Sequence, residues 1–142
     1  MVQLEKVIDV IKGIIKSSLN DADIDISSFL SGVFKDLWVY IQKDIQYYED
    51  NEDIIESICQ LVKYFMRAIK SDFYENYMKT YLEKMVSGYQ VKPISSYLYS
   101  FEVIVDAYYN DPNCHIMLMQ TFEILCKLTF SYLPTFSKIA LI

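Results

Sequence analysis

Residues 53–71 read DIIESICQLVKYFMRAIKS, and this stretch decides the fold. Ile54, Ile55, Ile58, Leu61, Val62, Phe65 and Ile69 recur at steps of three and four. Glu56, Gln60, Lys63, Arg67 and Lys70 take the intervening positions and share another face. That period belongs to an amphipathic helix, not to the alternation of a strand. Asn51 or Asp53 is placed to cap it, and the helix starts acidic and ends basic, as its dipole prefers.

The same pattern extends outward in both directions. Ser71-Asp72 predicts a very short turn into a helix carrying Tyr74, Tyr77, Met78, Tyr81, Leu82, Met85 and Tyr89, with Gly88 and Pro93 as stop signals. Upstream, Phe29, Val33, Phe34, Leu37, Trp38, Ile41 and Ile45 form one apolar face. Before them stand Leu4, Val7, Ile8, Ile11, Ile14 and Ile15, with Lys6, Asp9, Lys12 and Lys16 largely opposite. The turn residues of 20–23 separate these two helices, and 25–28 offer N-caps. Downstream, Leu98, Phe101, Val105 and Tyr108 face inward on a fifth helix. Asn110-Asp111-Pro112-Asn113 makes a turn, and a sixth helix runs through Ile116, Met119, Phe122, Ile124, Leu125, Leu128 and Phe130 to Pro134.

These six helices group as three pairs, 3–19 with 28–48, 53–71 with 73–90, and 94–109 with 113–132. A hairpin of this length cannot bury its own apolar face, so it must stack on neighbours. The expected fold is all-α, an α-α superhelix of three antiparallel helix pairs, with repeats at about 3–48, 53–90 and 94–132 in a single segment, 1–142. Residues 135–142 read as the start of a further apolar element. Neither end has the polar face of a terminal cap, so the chain is expected to be part of a longer solenoid.

Composition narrows the function classes. Gly and Pro number three each, too few breakers for a β-rich or linker-like chain. The 13 tyrosines suit half-buried positions, with rings packed and hydroxyls wet. A net charge of −6 disfavours direct nucleic-acid binding and suits a basic partner. Charged residues interrupt 2–15, unlike a secretory leader, and no run of about 18 apolar residues is expected to cross a membrane. Cys59, Cys114 and Cys126 lack disulfide or zinc spacing, and their odd number favours a reduced compartment.

No catalytic constellation stands out. His115, the single histidine, follows Cys114, but adjacent helical side chains diverge by about 100°, so the two cannot act as a nucleophile–base pair. Asp106, inside 103–108, is expected to satisfy an inter-helix contact. No catalytic, cofactor or metal residue is assigned. The candidate binding residues are Lys63, Arg67 and Lys70, a cationic ridge at i, i+4 and i+7 that suits phosphate or carboxylate groups. Arg67 can bind such a group bidentately, whereas the lysines act as point charges.

Asp50-Asn51-Glu52-Asp53-Ile54-Ile55-Glu56-Ser57-Ile58-Cys59, Lys63 to Arg67, and Met85-Val86-Ser87-Gly88-Tyr89-Gln90-Val91 go beyond a generic helix pattern. With Ser96-Tyr97-Leu98-Tyr99, Val103-Ile104-Val105-Asp106-Ala107-Tyr108 and Leu125-Cys126-Lys127-Leu128-Thr129-Phe130, they resemble the HEAT repeats of the transportin-SR branch of the importin-β superfamily. The resemblance covers about two thirds of the chain, from Trp38 to Leu133; 1–37 match only in helical pattern. It implies a non-catalytic nuclear import receptor, shuttling between cytoplasm and nucleus without a cofactor. Such a receptor carries serine/arginine-rich protein cargo into the nucleus and releases it when Ran in its GTP form binds the N-terminal arch. It also implies that the helix of 53–70 meets phosphorylated Arg-Ser segments. Lys63 and Arg67 keep positive charge there, whereas Ser57 and Gln60 stand where the family has arginine. The alternatives are a HEAT scaffold of another kind, such as a phosphatase or trafficking subunit, and a small helical-bundle enzyme or ligand carrier with an enclosed pocket.

Overall fold

The computed structural model describes residues 6, 9–14, 16 and 27–140, the side chains of 134–140 excepted. The expected turn at 20–23 and the apolar positions Leu4, Val7, Ile8 and Ile15 lie outside the described residues. Residues 9–14 are helical. The elements that follow are α1 (Ser27–Tyr47), α2 (Glu52–Ala68), α3 (Lys70–Asn76), α4 (Met78–Val91), α5 (Ser95–Tyr108), a 3-10 turn (Pro112–Cys114) and α6 (His115–Ala140). Among the described residues there is no strand. The fold is an all-α helical repeat solenoid. Its helices form two rows: α1, α4 and α6 pack one on the next, and α5 packs on α2. Across the rows, α1 packs with α2 and α4 with α5.

Local chemistry explains most boundaries. Asn51 is extended and its side chain accepts from the Ile54 N–H at 3.2 Å, supplying one of the caps read from the sequence. Asp111 does the same for the Asn113 N–H at 3.0 Å, with Pro112 in the first turn of the 3-10 helix. Lys92, before Pro93, is extended, and α5 begins two residues after that proline.

Two boundaries differ from the sequence reading. The turn expected at Ser71-Asp72 falls instead at Ile69 (φ −119°, ψ 40°), and the expected helix of 73–90 is divided again at Tyr77 (φ −129°, ψ −29°). Backbone bonds still cross both breaks, Ile69 N–H to Phe65 O at 2.8 Å and Tyr77 N–H to Phe73 O at 2.9 Å. The breaks let Ile69, Phe73, Tyr77 and Met78 all enter the core, which no single straight helical face would allow. The Asn76 amide, bonded to the Asp72 carbonyl and carboxylate, competes with the backbone at the second break. At the other end, α6 does not stop at Pro134 but runs to Ala140. Proline lacks the N–H for the carbonyl four residues back, so the helix continues across one missing bond.

The core is centred on Phe34 of α1. Its ring lies 5.1 Å from Phe65 of α2, 5.9 Å from Phe73 of α3 and 4.8 Å, edge-on, from Tyr77. Phe29, read as part of that face, is 66% exposed; Leu30, one residue on, is buried in its place, in phase with Phe34, Ile41 and Ile45. The tyrosines depart further from expectation. Tyr81, Tyr89, Tyr97 and Tyr108 are buried, and their hydroxyls are bonded rather than wet. Tyr97 donates to the Glu49 carbonyl beyond the end of α1, Tyr108 to the Lys70 carbonyl at the first break, and Tyr132 to the Gln90 carbonyl at the end of α4, each at 2.7 Å. The last carbonyls of a helix have no intrahelical donor, and at Gln90 the Tyr132 hydroxyl supplies one. Gly88 likewise is not a stop signal. It is buried inside α4 with no positive φ, and the Tyr97 ring fills the space a Cβ would take.

The apolar residues of α6 divide unevenly. Cys114, just before it, and Leu118, Thr121 and Leu125 are buried, at steps of three and four, whereas Ile116 (74%), Met119, Phe122, Ile124 and Phe130 are exposed. Residues Pro112–Leu133 are also long and apolar enough, by length and composition, to cross a membrane, contrary to the reading of the sequence. Their buried face nonetheless packs on α4, and the exposed face carries the ion pair Glu123–Lys127 at 2.9 Å.

Candidate functional site

The cationic ridge lies along the seam between α2 and α5. Lys63 is partly buried; its ammonium donates to the Tyr99 hydroxyl at 3.2 Å and stands 5.6 Å from the Tyr99 ring centroid and 5.4 Å from that of Tyr64. Arg67 is exposed in the last turn of α2, where the dipole favours a cation. Lys70 sits beyond the break at Ile69, opens α3 and lies 5.6 Å from the Tyr108 ring. The ridge therefore spans the length of α5, from Tyr99 to Tyr108, rather than one continuous helix face.

The fold adds two residues that the sequence placed only on the polar side of the first helix. Lys12 and Lys16 lie 5.5 Å and 5.3 Å from the Tyr64 ring centroid, and Lys12 also donates to the Gln60 side chain. Three ammonium groups thus converge on one ring, within about a Debye length of one another. Among the described residues no carboxylate stands at ion-pair distance from any of them. Burial acts upward on the Tyr64 hydroxyl, but the Lys16 hydrogen bond and the charges of Lys16, Lys63 and Lys12 outweigh it and hold its pKa below the ordinary tyrosine value. No local pattern announces this cluster, because Lys12 and Gln60 are 48 residues apart.

Beside the cluster a groove of 480 Å³ is lined by Glu56, Cys59, Gln60, Lys63, Ser95, Ser96 and Tyr99. It carries both signs of charge and several neutral donors and acceptors, a lining suited to a polar peptide. Cys59 at its base is not a nucleophile. Burial pushes its thiol up to about 11, against the downward pull of hydrogen bonds with Tyr81 and Ser100. At pH 8 about one part in a thousand is thiolate. Iodoacetamide is accordingly expected to leave Cys59 unmodified in the folded chain and to modify it in urea, as read by peptide mass spectrometry. Equal rates in both states would refute the buried placement.

The remaining candidates do not assemble into chemistry. The His115 ring nitrogen lies 2.6 Å from the Tyr109 carbonyl, while Cys114 is buried with its thiol pushed up by burial and then by Asp111. Asp106, expected to satisfy a buried contact, is exposed and lines the groove between α5 and α6, because its position falls outside the buried Tyr97, Phe101, Ile104 and Tyr108 stripe. Among the described residues no group of three or more His, Cys, Asp and Glu could hold a metal ion.

Stacked helices with open grooves and a charged seam define a repeat-solenoid binding module. Its particular family follows from comparison with known ones. Residues 30–133 match the family described as the transportin-3/importin-13 fourth TPR domain, and the chain belongs to that family, a repeat domain of nuclear transport receptors. No curated protein matches the chain. The family description calls the repeats TPR, but α2 begins at Glu52 and α5, its successor in the same row, at Ser95. That step exceeds the roughly 34 residues of a TPR and falls in the HEAT range.

Proposed function

We propose that this chain is the part of a nuclear import receptor that holds protein cargo, and that Lys63, Arg67 and Lys70, joined by Lys12 and Lys16, are its cargo-contacting residues. The observation that carries this reading is the convergence of Lys12, Lys16 and Lys63 on Tyr64, with no carboxylate among the described residues at ion-pair distance. Such a cluster is strained by its own repulsion, and an anionic group relieves it. Cargo of the serine/arginine-rich type supplies phosphates for the lysines and arginines for Glu56 and the tyrosine faces. The chain acts as one segment of a longer solenoid. Ran acts on the full-length receptor, which shuttles between cytoplasm and nucleus. The segment needs no cofactor, does no chemistry of its own and, at a net charge of −6, does not bind nucleic acid directly.

The test is the affinity of a phosphorylated Arg-Ser peptide for the chain and for its Lys63→Glu, Arg67→Glu double variant. The reversal is expected to weaken binding by more than about tenfold, or 1.4 kcal/mol, and raised salt to weaken the native interaction in parallel. An unchanged affinity would remove the role given to this ridge.

A further inference from the structure

Two serines line the groove beside Lys63, and they differ in access. Ser95 is exposed and is the first residue of α5, whereas Ser96 is half-buried. Ser100, further along the helix, is buried and bonded to the Tyr81 hydroxyl. The chain reaches Ser95 through Lys92 and Ile94, both extended, on either side of Pro93. Ile94 caps α5 without a side-chain hydrogen bond, so the first turn opens at little cost. Lys92 is exposed and stands three residues before Ser95, a place where many serine kinases read a basic residue.

The same groove holds a cation close to that hydroxyl. Helical side chains lean toward the N-terminus, so Tyr99, four residues on, leans over the turn of Ser95. Its hydroxyl accepts from Lys63 at 3.2 Å, which sets the ammonium beside that turn. One of the three ammonium N–H donors meets Tyr99, and that leaves donors for an anion. Lys63 also stands 5.4 Å from the Tyr64 ring, on which Lys12 and Lys16 converge. We propose that Ser95 is a phosphorylation site, and that its phosphate turns onto Lys63 and closes the lysine seam to cargo. A kinase transfers the γ-phosphoryl group of ATP to Ser95. The Oγ–P bond forms as the bond to ADP breaks, and the hydroxyl proton passes to the kinase's carboxylate. The group adds about two negative charges, in a first turn where the helix dipole favours them. Held on the same fold as Lys63, it competes with a cargo phosphate as an intramolecular anion. This regulation rests on the cargo reading above; the contact between the phosphate and Lys63 does not.

Three measurements on the full chain test the site. Incubated with ATP and a serine kinase that reads a basic residue three places upstream, the folded chain should take phosphate at Ser95 and not at Ser96, as located by peptide mass spectrometry. A chain left unmodified at Ser95, or modified first at Ser96, would overturn the site. In the phosphorylated chain, phosphorus NMR should give a second phosphate pKa below the ordinary value of about 6, and Lys63→Gln should raise it by about half a unit. A value unmoved by Lys63→Gln would overturn the contact. The phosphorylated chain should bind a phosphorylated Arg-Ser peptide about tenfold more weakly than the unmodified chain, and removal of the Ser95 phosphate with a phosphatase before the peptide is added should restore the affinity. Equal or tighter binding by the phosphorylated chain would overturn the regulation. If the unmodified chain binds no such peptide, the cargo reading falls and the regulation with it, while the NMR shift still decides whether the phosphate meets Lys63.

Discussion

Replacing Gly88 by alanine is expected to cost the fold about 2–4 kcal/mol, although alanine is the better helix former. The added Cβ would fall 2.7 Å from Cε1 of Tyr97 and closer still to its Cζ and Oη. Tyr97 cannot swing away cheaply. Its ring is fully buried, and its hydroxyl is anchored on the Glu49 carbonyl at 2.7 Å. Either the ring shifts and that carbonyl loses its donor, or α4 and α5 separate. In an exposed helix the same exchange gains up to about 1 kcal/mol, so the sign of the effect separates a packing notch from a stop signal. The measurement is urea denaturation of Gly88→Ala, Tyr97→Leu and the double variant. The double variant should be less destabilised than the sum of the single ones, by about 1–2 kcal/mol of coupling. A stabilising or neutral Gly88→Ala, or strict additivity, would contradict the close approach.

Phe34→Ala should be the most damaging single truncation, at about 3–5 kcal/mol. Phe34 is fully buried and touches aromatic rings from α1, α2 and the break at Tyr77, so its loss opens a cavity between elements rather than within one. Against a total stability of about 5–15 kcal/mol, that loss brings the chain near its unfolding threshold. Phe29→Ala, one and a half turns earlier on α1 and 66% exposed, is the matched control and should stay within about 0.5 kcal/mol. Comparable effects from the two truncations would mean that α1 packs in a different rotation about its axis.

That pair of phenylalanines marks how much of the fold was legible. The apolar period was read correctly at all seven positions, six in α2 and Ile69 at the break after it, because the two faces of that stretch are sharply divided. For α1 and α6, apolar residues lie on more than one face. Periodicity alone therefore could not tell Leu30 from Phe29, or the buried Leu118 and Leu125 from the exposed Ile116 and Phe122. Lys63, Arg67 and Lys70 were visible as a ridge because their spacing is local. Lys12, Lys16 and Tyr99, which reshape it, were not, since Tyr99 is 36 residues from Lys63 and Lys12 is 48 from Gln60.

The sequence by itself determined the helical class, a cap at the start of α2, the turn at 110–113 and the phase of α2. These depend on interactions within a few residues, whose energies the local pattern expresses. Only the tertiary structure decided the breaks at Ile69 and Tyr77, the notch at Gly88 and the gathering of lysines around Tyr64. It also directed the Tyr97, Tyr108 and Tyr132 hydroxyls to carbonyls of distant turns and helix ends, across 38 to 48 residues of chain. Each of these needs a partner brought near by stacking, and a single helix carries no record of which neighbour will lie against it.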